Sequence, residues 1–279
     1  MIRQFALRNE YNQTYGLNDP ETGFLQNPVG LGNEKDSSFV AIGAAWMVNY
    51  IKNAQATIGG ELVFAGRSPY KAYADFTTFV RRASSLTLVY TTPHGTFYKD
   101  VMLVSLEKTE ITEGNVLLCP VSFAAMSLWY ASASNNMSIS DGEHLELPFT
   151  LPNQFNDNTA GSVFIPNDGS EPAPFRVAIH GPVAQPSIVL LSGNTELYRA
   201  DISYSAARGE QICYSSVDND LYIYHEDISG VRTNLFPYMD IENANFFKVP
   251  VGGATLQITA EAAITAPVVV STYNLFGAV

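Results

Sequence analysis

The chain has 279 residues, 46% hydrophobic and 15% charged, which supplies ample apolar material for a core and suits two domains better than one. Its formal net charge of −12 and sequence pI of about 4.7 argue against a nucleic-acid binder, because neutralising phosphates needs clustered Lys and Arg. There is no apolar run near the roughly 18 residues of a membrane span, and Met1–Leu7 lacks the apolar stretch and cleavage site of a secretory signal, so the expectation is a chain that folds in a cytoplasm.

In chain order, Phe5 and Leu7 alternate with polar neighbours as a short first strand. Asn12 to Pro28, rich in Asn, Asp, Gly and Pro, reads as turn and loop. Pro28-Val29-Gly30-Leu31-Gly32 reads as a compact apolar loop; it lacks the third glycine and the helix start of a phosphate cradle. Phe39–Ile51 is apolar enough for a strand pair, and Ala54–Phe64, broken by Gly59-Gly60, reads as a hairpin. Ser68 then offers an N-cap, and Pro69 sits at the first helical position. Tyr70, Tyr73, Phe76, Phe79 and Val80 recur at three- and four-residue steps, which predicts an amphipathic helix ending at Arg81-Arg82.

The period then switches to two. Leu86, Leu88 and Tyr90 alternate, and Thr92-Pro93-His94-Gly95 turns the chain back into Phe97–Leu106. A second pair is expected at Leu106–Ile111 and Val116–Phe123, joined through Glu113-Gly114-Asn115. The helix is expected to bury its aromatic stripe on these strands. Ala131–Asp141, rich in Ser and Asn, reads as a linker. Short strands follow at Phe149–Leu151, Val163–Ile165, Phe175–Ile179, Ser187–Leu191, Glu196–Ser203, Gln211–Tyr214, Leu221–Tyr224, Phe246–Val249, Thr255–Ile258 and Val268–Tyr273. Such spacing predicts an antiparallel sandwich or jelly roll, with the last strand free to return to the first domain.

Catalytic patterns are absent. The four histidines, His94, His144, His180 and His225, show no ligand spacing, and Cys119 and Cys213 read as buried thiols rather than a disulfide. No Gly-x-Ser-x-Gly elbow occurs, which disfavours an esterase. His225-Glu226-Asp227 reads as a solvated hairpin tip, Asp218-Asn219-Asp220 as a β-turn, and Glu107, Glu110 and Glu113 as surface charges. The expectation is no cofactor and no metal. Of the aromatics Tyr222, Tyr224, Phe236, Tyr238, Phe246 and Phe247, most are expected in the core; Tyr222, Tyr224 and Tyr238 are candidates for stacking on sugar rings.

Several segments, taken in order, carry a resemblance. They are Asn27–Gly32, the helix Pro69–Phe79, Leu86–Tyr90, Phe97–Val101, Val104–Glu110 and the closing Val121–Tyr130. In the second half they are Ile165–Gly169, Ala178–Pro182, Arg208–Ile212 and Val249–Gly253. This succession resembles the phage tail-component family, specifically the distal tail proteins at the end of siphophage tails, over nearly the whole chain. The resemblance implies a mainly β protein. Residues 1–132 would form a β-sandwich or split-barrel-like domain with one helix, and residues 133–279 a galectin-like antiparallel β-sandwich. It implies a structural virion protein of the tail tip, assembled in the bacterial host cytoplasm, whose N-terminal domains form a homohexameric ring. That ring would join the tail tube protein to tail-tip and tail-associated proteins, with receptor-binding or other baseplate proteins as further partners and no catalytic residues to carry over. Ring contacts are expected from Val29, Leu31, Ile58 and Leu62, apolar residues on segments without an obvious partner in their own domain. The alternative is a carbohydrate-binding sandwich that attaches to a host cell surface.

Overall fold

The computed structural model describes residues 3–111, 114–137, 159–240, 246–262, 264 and 267–279. The chain divides into two units, Met1–Ala131 with Leu275–Val279, and Ser132–Asn274.

The first unit contains β1 (Gln4–Asn9), β2 (Thr14–Gly16), β3 (Asn18–Asp19), β4 (Gly23–Val29), β5 (Lys35–Ile42), β6 (Ala45–Asn53) and β7 (Thr57–Phe64). Helix α1 (Pro69–Arg82) follows, then β8 (Leu86–Thr92), β9 (Gly95–Leu106), β10 (Leu117–Ala125) and the start of β11 (Trp129–Met137). Hydrogen-bonded neighbours run β1, β8, β9, β10, β7, β4, β3. The path then returns to its start. The Leu17 N–H donates to the Phe5 carbonyl at 2.9 Å, the Phe5 N–H donates to Asn18 Oδ1 at 2.7 Å, and Asn18 Nδ2 donates to the Phe5 carbonyl at 2.8 Å. Asn18 thus substitutes a side-chain amide for a backbone partner, and the sheet closes as a barrel without a free edge at this seam. Leu7, Leu17, Ile58, Leu62, Phe64, Leu88 and Phe123 fill it.

The helix forms where the periodicity placed it, but its contacts differ. Pro69, Ala72, Phe76 and Val80 are its buried residues. Phe76 meets Tyr15 edge-on at 5.4 Å and Phe64 at 6.0 Å, so the helix packs on β4 and β7 rather than on the strands that follow it. Tyr70, expected on the buried stripe, is exposed and donates its hydroxyl to Glu110 at 2.8 Å. Ser68 makes no side-chain cap; its carbonyl accepts the Lys71 and Ala72 N–H groups.

Three other expectations in this unit need correction. Asn12–Pro28 is not loop but holds β2, β3 and β4, because its Asn and Gly residues serve local turns while Leu17 and Leu25 reach the core. The Asn9 carboxamide, for example, accepts the Tyr11 and Gln13 N–H groups and fixes the turn at Asn12. Ala54–Phe64 is not a hairpin: β7 is one strand, and Gly59-Gly60 is required because β4 crosses close by. A Cβ on Gly60 would lie 2.8 Å from the Gln26 carbonyl oxygen. Finally, β9 ends at Leu106, and residues 107–111 form no strand; Thr109 instead gives its hydroxyl to the Leu118 carbonyl.

The second unit holds β12 (Ala160–Ile165), β13 (Phe175–His180), β14 (Val183–Ala184), β15 (Ser187–Ser192), β16 (Thr195–Asp201) and β17 (Ser205–Ala206). It continues with β18 (Gln211–Val217), β19 (Asp220–Glu226), β20 (Arg232–Asn234), β21 (Ala254–Thr259) and β22 (Val268–Phe276). One antiparallel sheet orders β20, β19, β18, β13 and β22; the other orders β12, β21, β15 and β16. Their inward residues, among them Phe175, Ile179, Ile188, Leu190, Tyr214 and Leu256, make a single core, which defines an antiparallel β-sandwich. The linker expected at Ala131–Asp141 is strand as far as Met137. The segments 138–158, with the expected strand Phe149–Leu151 and His144, lie outside the described residues. Phe246–Val249 is not a strand: the Phe247 N–H donates to the Tyr214 hydroxyl, and Val249 alone bridges to Ala173. Both Cys119 and Cys213 are buried free thiols, and burial pushes both up from their ordinary pKa.

Candidate assembly interface

Among the described residues, strands β5 and β6 pair only with each other, as a two-stranded ribbon. The register shifts between Ser38 and Phe39, and from there to the tip the pairs alternate between the two sides. Phe39 faces Val48 and Ala41 faces Trp46 on one side; Val40 faces Met47 and Ile42 faces Ala45 on the other. All of the large apolar residues here are exposed, Trp46 at 74%. An isolated ribbon is marginal in water, and contiguous exposed apolar surface marks an interaction site. Apolar residues on both faces mean that one covering surface leaves the other wet. The root is polar: Lys52 pairs with Asp36 at 3.2 Å, Lys35 bonds to Asn53, and the Ala54 N–H donates to the Glu34 carbonyl at 2.9 Å.

A second exposed apolar area lies on the outward side of the barrel. Val29, Met102, Val104 and Met126 are exposed. Val29 stands over Gly59, and the rows Gly59, Ser122, Ser105 and Thr57, Ala124, Met102 keep the surface between them low. Of the expected ring contacts, Val29 belongs to this area. Leu31 packs against the core, and its carbonyl accepts the Trp129 indole N–H at 3.1 Å. Ile58 and Leu62 are inward residues of β7, buried in the barrel, and cannot face a neighbour. The residues of β5 and β6 are legible as a strand pair, and their double-sided apolar pattern is the one sequence signal of their exposure.

In the second unit Tyr222 and Tyr224 meet at 4.9 Å on one side of β19. The Arg232 guanidinium lies 4.5 Å over the Tyr224 ring, held by Glu226, and occupies the face a sugar would use. Tyr238 sits apart with Tyr204, so the three tyrosines do not form one platform. His225 is no solvated tip. It is buried in β19, 2.9 Å from Glu210, with Tyr204 at 5.0 Å, while the turn itself is closed by Asp227 accepting the Ser229 and Val231 N–H groups. The Ala207 N–H and His225 hold the Glu210 carboxyl below its usual range. Among the described residues no three His, Cys, Asp or Glu side chains converge as a metal site.

The first unit is thus a closed barrel with one helix and an exposed apolar ribbon, and the second is an antiparallel sandwich. Residues 4–126 match the family profile described as distal tail protein, N-terminal domain, which assigns this stretch of the first unit to that domain family. A chain of the phage P2 baseplate, in its activated conformation with calcium, aligns over 100% of both chains with a TM-score of 0.67 at 16% identity. The SPP1 phage Dit protein, described as a paradigm of hub adsorption apparatus in phages infecting Gram-positive bacteria, aligns over 96% of this chain and 98% of its own. Its TM-score is 0.64 at 11% identity. At these identities the likeness is one of fold. A search of curated protein sequences returns no match.

Proposed function

We propose that this chain is a distal tail protein, the ring-forming hub of a phage tail tip, in which the first unit of each copy contacts the next. The ring is a homohexamer that joins the tail tube protein to tail-tip and adsorption proteins, and it assembles in the bacterial host cytoplasm. The role is structural rather than catalytic. The observation that carries this reading is the β5–β6 ribbon. Its two apolar faces have no cover within the described residues, and the outward Val29–Met102–Val104 area of the same unit is a complementary apolar landing surface. Arm on one side and landing surface on the other make a heterologous contact, which closes into a ring when the rotation per subunit divides a full turn. The hub description of the SPP1 relative and the baseplate setting of the P2 relative support the same assignment. The number of six rests on the family resemblance.

Cysteine cross-linking tests the contact. The full chain carrying Trp46→Cys and Met102→Cys, mildly oxidised, is expected to yield a ladder of covalent oligomers that stops at the ring. The native thiols are buried and stay out of the chemistry. Cross-linking absent at concentrations where the protein self-associates would rule out this arm and landing surface.

A further inference from the structure

Strand β9 holds a charge on its inward row. Phe97, Lys99, Val101 and Leu103 alternate toward the core, and in that apolar row Lys99 is 2% exposed. Its ammonium lies 4.9 Å over the Trp129 ring and makes no hydrogen bond or ion pair with a described residue. Burial holds its pKa below the ordinary lysine value. A ring face satisfies part of the charge and none of the three N–H donors. Leaving a buried ammonium in that state costs stability unless a counter-ion arrives.

The side chain lines a cavity of about 400 Å³. Asn33, Glu34, Gln55, Ser127 and Gly277 are among the residues that line it. Gln55 is turned to the Ala125 carbonyl at 3.1 Å, and Ser127 to the Leu128 carbonyl at 2.9 Å. The neighbouring acid on β9, Asp100, alternates to the opposite side, where it accepts from Thr87 and Tyr130 at 3.1 Å. Glu34, Asn53 and Ala54 on the wall are also the root of the β5–β6 ribbon.

We propose that this cavity is an anion site for a carboxylate, with Lys99 as its counter-ion, and that the carboxylate is an acidic side chain of a second copy of the chain. A single ammonium, with the acid Glu34 also on the wall to repel a second negative charge, favours a monoanionic group over a phosphate dianion. Position at the ribbon root favours a neighbouring copy as the carrier, and a chain of net charge −12 has acidic side chains to offer. The identity of the carrier rests on the ring reading above; the site itself does not.

The test uses the full chain, acetate as probe and sodium chloride at matched ionic strength as control. Acetate is expected to raise the melting temperature of the wild type and of Lys99→Arg but not of Lys99→Met. In ¹⁵N-lysine-labelled wild type, the Lys99 Nζ resonance should move saturably, a readout that holds even if Lys99→Met fails to fold. Lys99→Met is also expected to weaken self-association at least about tenfold, with a melting temperature unchanged or raised because an unpaired buried charge has gone. An acetate response with undiminished association in Lys99→Met would keep the site and assign it to a free carboxylate. No acetate response in either readout, with a lowered melting temperature in Lys99→Met, would overturn the proposal and leave Lys99 as packing for Trp129. A wild type that never self-associates would break the ring reading while the acetate response still decides the site.

Discussion

Two hairpins of the first unit have similar strand-forming sequences and opposite fates. In β8–β9, Leu86, Leu88 and Val101 lie on one face, which is buried in the barrel, while Thr87 and Asp100 pair on the other. In β5–β6, Phe39, Val40, Ile42, Trp46, Met47 and Val48 occupy both faces, and all are exposed. A barrel wall can cover one side of a ribbon; a ribbon apolar on both sides is suited to lie between two surfaces. The difference separates residues that stabilise the fold from residues proposed to stabilise an assembly.

The largest effect that could break this comparison is in the core. Leu88→Ala is expected to lower unfolding free energy by about 2–5 kcal/mol in denaturant titrations, whereas Trp46→Ala in dilute monomer should change it by no more than about 0.5 kcal/mol. Equal losses at both positions would mean that the ribbon already belongs to the core. Next is the barrel seam. Asn18→Ala strands the Phe5 N–H, while the Phe5 carbonyl keeps the Leu17 N–H, and a loss of about 1–3 kcal/mol is expected; no loss would argue against closure there. The smallest concerns Glu10, whose carboxylate takes the N–H groups of Ser84 and Ser85 where the chain enters β8. The Ser84 backbone N–H is the main cause of a pKa held down to about 2 from 4.5. Its contribution is therefore complete above about 4.5 and is lost as pH falls toward 2. Glu10→Gln should flatten that part of the acid limb of melting temperature against pH, and an unchanged acid limb would discount the bond.

Long periodic elements were legible in the sequence. Helix α1 was marked by Pro69 and its aromatic spacing, and the strands of the sandwich by alternation and turn residues. What misled was turn-forming composition used for other ends. Gly59-Gly60 reads as a turn, yet it exists because the Gln26 backbone approaches the middle of a continuous strand. Asn18 reads as loop, yet its carboxamide closes the barrel. Of the expected ring contacts, Val29 is exposed as its apolar loop implies, while Ile58 and Leu62 are buried because the hairpin read across β7 does not form. Lys99 was missed although a signal was present: it is the one charge in the alternating row Phe97, Lys99, Val101, Leu103.

The central claim is that the apolar ribbon is covered by another copy, and the mass of the full-length protein in solution tests it most directly. By light scattering after size exclusion at moderate salt, the wild type is expected to reach a discrete ring-sized species as concentration rises. The double variant Phe39→Asp, Trp46→Asp should stay monomeric with an unchanged melting temperature in dilute solution. A wild type and double variant that assemble alike, or that both remain monomeric at every concentration and salt, would contradict the account.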